Sequence, residues 1–298
     1  MKIVIAGSSG MIGTPLVRAL RADGHEVTRL VRRDAAAPDE VSWDPAAGSL
    51  DASAFTGVDA AINLAGVNAG DAIHWTESFK AKFRASRVDS TRTLSEALAK
   101  IDPGPRVLLN ASAIGYYGDT GDRPIEESDP AGSDFFAETC TEWEAATTSA
   151  QDAGIRVCRL RSGLVMSRRG GLLERCVPIF RLGLGGRLGS GQQYWSFVSL
   201  VDEVRAIRFL LTAEDVDGAV NVTAPDPVTN REATQTLGKL LHRPTPFWVP
   251  AVALQVGLGE FANEVLASHR VLPRVLETAG FTFEHPDIES AMRSGLAG

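Results

Sequence analysis

The chain has 298 residues, 44% of them hydrophobic and 22% charged, with a formal net charge of −7. That length can bury a full core, as one large α/β domain or as a domain with a smaller cap, and the composition excludes disordered and fibrous classes. The negative balance excludes a nucleic-acid grip built on excess basic charge.

Three cysteines, Cys140, Cys158 and Cys176, include no CxxC pair, and no two of the five histidines have metal-ligand spacing, so neither a disulfide framework nor a metal site is expected. No apolar run approaches the ~20 residues of a membrane span. Lys2 leads straight into Ile3-Val4-Ile5-Ala6 rather than into a signal peptide. A cytoplasmic protein with no membrane partner is expected.

Apolar runs at Ile3–Ala6, Val27–Val31, Ala60–Ala65, Val107–Ala111, Val157–Leu160 and Ala219–Val222 predict strands buried on both faces of a parallel sheet. Helical periods lie between them. Ile12, Leu16, Val17 and Leu20 share one face of a helix that Gly24 closes, Val88, Leu94 and Leu98 mark a second, and Trp143 with Ala146 a third. Strands alternating with helices predict a doubly wound α/β sheet of the Rossmann type. After Leu164 comes a glycine-rich stretch, Gly183 to Gly191, then a helix predicted from Asp202 to Leu211. Thr229-Asn230-Arg231-Glu232 has the form of a capping box before Leu237, Leu240 and Leu241. Residues 1–165, with 201–224 returning to the sheet, are therefore expected to form the doubly wound α/β domain, and 166–200 with 225–298 a smaller, mainly helical cap.

The turn Gly7-Ser8-Ser9-Gly10-Met11-Ile12-Gly13 follows a strand and opens a helix. Gly7 permits a tight turn, Gly10 lets backbone approach a pyrophosphate, and Gly13 allows close helix–strand contact, while the helix N-terminus offers free N–H groups to phosphates. The bland alternative is a glycine-rich turn with no ligand. An NAD-preferring site ends its second strand on a carboxylate that holds the ribose 2′-OH. Here Val31 is followed by Arg32 and Arg33, two guanidiniums suited to a 2′-phosphate, so NADP(H) is the expected cofactor. A solvated basic turn is the alternative.

With these residues the chain resembles extended short-chain dehydrogenases/reductases of the epimerase/dehydratase class. It is most similar to the nucleoside-diphosphate-sugar epimerase-like branch, sometimes called SulA-like, which carries a C-terminal helical module of unknown function. The resemblance rests on Gly7–Gly13, Asn63-Leu64-Ala65-Gly66, Trp75 with Phe79, Ser86-Arg87-Val88, Ser112–Asp119, Trp143-Glu144, Leu160-Arg161-Ser162-Gly163, Gly183–Gly191 and Thr229–Glu232, and spans essentially the whole chain. It implies cofactor contacts from Leu64, Ala65 and Gly66 at the end of the fourth strand, from Arg87 on the next helix and from Leu164 near the nicotinamide. For Arg87 a salt-bridge role is an equal alternative.

Enzymes of this kind use a Ser/Thr hydroxyl, a Tyr as proton donor or acceptor, and a Lys four residues later. The helix after Asp134 carries Phe136 and Cys140 at the Tyr and Lys positions, and Ser112 stands one residue before the hydroxyl position, which is Ala113. Three readings stay open. An oxidoreductase or epimerase with a relocated acid/base would use Ser112, Tyr116 or Tyr117, the nearest hydroxyls. A non-catalytic NADP(H)-binding redox sensor or regulator would need none of them. An enzyme with a carboxylate base would use Glu138 or Asp134, although a carboxylate there also suits a helix cap. Trp195 and Arg187 in the cap could meet a ring and an anion, or could be junction residues. At Ser199 and Val201 the sequence departs from the His and Asp usual in the branch. The expected partner is a small-molecule substrate, small or nucleotide-linked, with no nucleic acid, bound by a monomer or homodimer.

Overall fold

The protein, seen in a computed structural model that describes residues 1–72 and 75–298, is built on a seven-stranded parallel sheet. Its strands are β1 (Lys2–Ala6), β2 (Glu26–Val31), β3 (Glu40–Ser42), β4 (Ala60–Asn63), β5 (Val107–Ala113), β6 (Arg156–Ser162) and β7 (Gly218–Val222). They lie in the order β7-β6-β5-β4-β1-β2-β3. The chain runs outward from β1 through β2 to β3, then returns to the other side of β1 with β4. The order therefore reverses between β1 and β4, and that reversal opens a crevice at the carboxyl ends of the strands.

Successive side chains of a buried strand go to opposite faces, and the core divides accordingly. Ile3 and Ile5 of β1, Ile62 of β4 and Leu109 of β5 pack with helix α1 (Gly13–Ala22) through Leu16 and Leu20. Val4, Ala6, Ala61 and Leu108 face the other way, against Leu94 and Leu98 of helix α2 (Glu77–Leu98) and against Phe55. Helix α3 (Phe135–Ala145) begins at Asp134, which caps it, and covers the carboxyl end of β5.

Six strands coincide with the apolar runs of the sequence. The seventh, β3, has no such run, because a three-residue edge strand buries little. Glu40 is placed by its register opposite Arg29 of β2, and side-chain charge rather than apolar area ties this edge down.

The cap gathers helices α4 (Gly171–Arg181), α6 (Asn230–Leu240), α7 (Ala251–Leu258), α8 (Phe261–Leu266) and α9 (Ile288–Ala297), while α5 (Leu200–Thr212) packs on the sheet. Its own core joins Met166, Leu173, Val177 and Phe180 to Phe197, Leu237 and Met292. The capping box at Thr229 is formed, with both reciprocal bonds to Glu232. No helix among the described residues is long and apolar enough to cross a membrane.

Two glycines set the first turn. Gly7 adopts φ +77°, and a Cβ there would meet the Leu64 carbonyl carbon at 2.5 Å. A Cβ on Gly13 would overlap the Gly7 carbonyl oxygen and lie 2.8 Å from the Ser8 Cα. Backbone cannot yield as a side chain can, so Gly13→Ala should cost ~1–3 kcal/mol, the usual scale of overpacking. Gly257→Ala in α7 has nothing within 4 Å of the new methyl group and should gain roughly 0.4–1 kcal/mol. Urea melts of the two variants check both signs; equal midpoints would show that the turn tolerates a side chain.

Candidate active site and cofactor cleft

The crevice is a cleft of about 880 Å³. Gly7, Ser8, Ser9 and Gly10 line one side, Val31, Arg32 and Arg33 the end of β2, and Leu64, Ala65 and Gly66 the turn after β4. Of the residues singled out in the sequence, these ten come together. Helix α1 starts with no side-chain cap and no acidic residue in its first turn; Thr14 N–H is taken by the Gly10 carbonyl at 3.0 Å and Pro15 has none, so the N–H groups of Met11, Ile12 and Gly13 are the ones at this end with no partner among the described residues. Met11, Ile12 and Gly13 stand behind the cleft. Gly13 packs on Gly7, Ile12 joins the sheet core, and Met11 packs under Gly170, where a Cβ would lie 3.0 Å from its sulfur.

The two arginines after β2 differ. Arg33 donates through Nη1 and Nη2 to the two Glu40 carboxylate oxygens at 2.8 and 2.7 Å. Glu40 also accepts from the Ala36 N–H at 2.9 Å and pairs with Arg29 at 3.1 Å. The Arg33 hydrogen bonds and then the Ala36 N–H hold the Glu40 carboxyl down at about 2. Asp39 is held at about 2 as well, chiefly by Arg29. Arg32 is exposed, lines the cleft and makes no ion pair among the described residues.

The turn Leu64–Gly66 is shaped from below by buried amides. Asn63 donates to Thr91 Oγ1 at 2.9 Å and to Asn110 Oδ1 at 2.8 Å, and its own oxygen accepts the Ala65 N–H at 3.1 Å. Trp143 Nε1 donates to Thr91 at 2.9 Å, tying α3 and α2 to the same point. Arg87 lies beside this turn. Its guanidinium sits 3.5 Å from the Phe83 ring centroid and donates to the Val67 carbonyl at 3.0 Å and the Phe83 carbonyl at 3.1 Å. Burial lowers it to about 10, and no carboxylate pairs with it among the described residues. Cys140 itself is pushed up to about 12, by burial first and by Glu144 second, so it is neither a cation nor a ready thiolate.

The hydroxyls singled out at the end of β5 turn inward. Ser112, 5% exposed, donates to Glu144 Oε1 at 2.7 Å. Arg161 of β6 donates to the same carboxylate at 2.8 and 2.9 Å and to the Tyr117 hydroxyl at 2.9 Å. Tyr117 in turn donates to Asn221 Oδ1 at 2.7 Å, and burial raises its phenol to about 12. The structure thus places Ser112 and Tyr117, both expected at the substrate, in a buried ion-pair network that takes up their hydroxyl protons. Tyr116 is half-buried, with the Arg161 guanidinium 3.4 Å from its ring centroid. Its hydroxyl makes no hydrogen bond among the described residues.

The other candidates resolve into structural duties. Asp134 Oδ1 accepts the Phe136 and Ala137 N–H groups at 2.9 Å each, which is a helix cap. Glu138 is exposed and pairs with Arg84 at 3.4 Å. Leu164 and Trp195 pack against the cap core, and Arg187 lies 5.8 Å from the Trp248 ring centroid. Ser199 caps α5 through the Asp202 N–H at 2.9 Å and meets His285 Nδ1 at 3.0 Å. Phe136, at the tyrosine position, joins a ring cluster with Trp75, Phe83, Phe135 and Phe261, 5.1 Å from the Trp75 centroid.

Sequence reasoning missed two groups at this end of the sheet, both from the cap: Glu264 of α8 and His269, which follows it. A Cβ on Gly115 would lie 3.7 and 3.9 Å from the Glu264 oxygens and 3.3 Å from the Phe136 Cβ. No motif or spacing marks these residues. Only the docking of the cap on α2 and α3 brings them to the site.

Residues 3–223 match the NAD dependent epimerase/dehydratase family, and residues 249–294 match a domain of unknown function, DUF1731. An epimerase family protein of Mycobacterium tuberculosis is 48% identical over 291 residues, covering 97% of this chain and 96% of that protein. The human epimerase family protein SDR39U1 is 33% identical over 300 residues, the full length of both. The crystal structure of the human protein with NADPH superposes with a TM-score of 0.91 at 32% identity, over 99% of each chain. With its Rossmann sheet, its glycine turn and its helical C-terminal module, the chain belongs to the NAD dependent epimerase/dehydratase family.

Proposed function

We propose that the protein binds NADP(H) in the cleft between β1, β2 and β4 and acts as an oxidoreductase or epimerase on a small or nucleotide-linked polar substrate. The observation that carries this reading is the pairing of an uncapped helix N-terminus with one uncommitted guanidinium, Arg32, in a single cleft. The donor set suits the cofactor. The Gly7–Gly10 backbone and the start of α1 would hold the pyrophosphate, Arg32 the 2′-phosphate, and the Leu64–Gly66 turn would admit the adenosine half. When bound, the cofactor supplies or accepts a hydride. Arg87, fixed beside Gly66, would orient the ribose nearer the nicotinamide. The crystal structure of human SDR39U1 with NADPH supports the same choice of cofactor.

Binding without turnover, as a redox sensor, is the second reading. The commitment of Ser112 and Tyr117 to Arg161 and Glu144 favours it, because two of the three nearest hydroxyls are then taken up inside the protein. Mass spectrometry of the ligands that co-purify with the protein separates the two: a bound carbonyl or alcohol beside NADP(H) supports an enzyme, and the cofactor alone supports a sensor.

Calorimetry tests the cofactor. NADPH should bind more tightly than NADH, and Arg32→Ala should lose the ~1.5–3 kcal/mol of a charged hydrogen bond, about ten- to a hundredfold in NADPH affinity, with NADH little changed. Arg33→Ala should also weaken NADPH, by uncovering the Glu40 carboxylate beside the phosphate. Equal affinity of the wild type for both cofactors overturns the choice.

Ser112 has its own test. Ser112→Ala should lower stability by about 1.5–3 kcal/mol, the worth of a hydrogen bond to a charged group. Glu144→Ala should lower it by about 3–5 kcal/mol, because Arg161 is left buried and unpaired. NADPH affinity should survive in both. A Ser112→Ala protein with wild-type stability and no turnover would return the hydroxyl to the chemistry.

A further inference from the structure

The site lacks a proton donor where related enzymes carry a tyrosine, and the cap brings a carboxyl group beside Gly115, just past the end of β5. Helix α8 is seated by Phe261, whose ring stacks on Trp75 with centroids 5.4 Å apart and planes 6° from parallel. One turn on, the Glu264 carboxylate lies beside Gly115 and Phe136, 3.7 and 3.9 Å from a Cβ built on Gly115. It is half-buried, so it is enclosed without being sealed. His269 follows at 5% exposure, with Nε2 buried and unpartnered among the described residues.

We propose that Glu264 is the proton donor and acceptor of this site, acting on the oxygen of a carbonyl substrate, in place of the absent tyrosine; the proposal rests on the NADP(H) reading above. In the reducing direction, hydride adds to the carbonyl carbon and the C=O π electrons move onto oxygen. That oxygen takes the proton of Glu264, leaving an alcohol, the oxidised cofactor and a carboxylate that regains its proton from water. The reverse reaction runs the same bonds backwards, with the Glu264 carboxylate taking the alcohol proton.

The surroundings suit a donor that stays protonated beyond the ordinary carboxyl range. Burial raises the Glu264 carboxyl, the nearby His269 opposes, and Asp134 at the start of α3 raises it further. From α3 the nearby Cys140 thiol is neutral. From α2, Lys80 is already paired with Glu77 and Glu260, and Arg84 with Glu138 and Glu142. Because the pKa is raised, Glu264 carries its proton to higher pH. Reduction should therefore fall as pH rises through that pKa, and alcohol oxidation should rise over the same range.

The test uses the full chain with NADPH and phenanthrenequinone as the carbonyl probe. Glu264→Gln should keep the NADPH affinity and melting temperature of the wild type and lose ~10²–10⁴ in turnover, the span of general acid catalysis. It should also lose the pH dependence, while Glu264→Asp, which keeps the carboxyl, should recover part of the rate. A crystal structure with NADPH gives a readout independent of turnover: nicotinamide C4 should face the Glu264 carboxylate across a gap that fits one carbonyl group. Wild-type rates and pH profile in Glu264→Gln, or a nicotinamide ring turned away from α8, overturn the proposal. If the quinone is inert, the position of the ring decides alone. Failure of the wild type to bind NADPH is a distinct result, which removes the cofactor reading first and this assignment with it.

Discussion

A guanidinium buried at the carboxyl end of a parallel sheet must be neutralised where it lies, and the answer given to Arg161 organises the rest of the site. Taking such a charge out of water costs several kcal/mol, recovered only when a counter-charge and hydrogen bonds meet it with good geometry. Glu144 of α3 supplies two bonds, and Tyr117 and the Glu127 carbonyl supply the others. That demand fixes α3 against β6 and draws in Ser112 through the same carboxylate. It reaches the edge strand β7 through Tyr117 and Asn221, and the segment after the cap's last strand through the Leu272 carbonyl, which accepts from Asn221 at 2.9 Å.

The chemistry follows from this arrangement. Hydroxyls that might have faced a substrate are bound inward to a charge that would be costly to abandon. The tyrosine position has become part of an aromatic cluster, where Phe136 contributes packing rather than a proton. Beside Tyr116, polar groups reach this end of the sheet from other elements. Arg87 arrives from α2, beside Gly66, and Glu264 arrives from α8, beside Gly115. Both are held by aromatic contacts, Arg87 on Phe83 and α8 through Phe261 on Trp75. The ring cluster thus joins the sheet domain to the C-terminal helices through Phe261 and Trp75.

At the other end of the cleft a second charge network separates two adjacent arginines. Glu40, on an edge strand with little apolar area, is held as a carboxylate by Arg33 and Arg29. The same pairing that anchors β3 keeps that negative charge covered and leaves Arg32 to face the cleft. Edge stability and ligand preference are two results of one ion-pair cluster.

The sequence by itself determined six strands of the sheet and the phosphate-binding turn, because both depend on local rules. Continuous apolar runs become strands buried on both faces, and Gly7 and Gly13 are dictated by a positive φ and by backbone contact. The missing tyrosine and lysine were equally legible, as Phe136 and Cys140. Tertiary structure alone decided which polar groups are free. Arg32 and Arg33 are neighbours in the chain, and only the register of β3 puts Glu40 against one of them. Ser112 looked available until Arg161, 49 residues along the chain, was seen to share its carboxylate partner. Glu264 had no signal at all, since its place beside Gly115 depends on how the cap docks. Electrostatic partnership is set by distance in space, and sequence patterns encode only the distances that a single strand, helix or turn fixes.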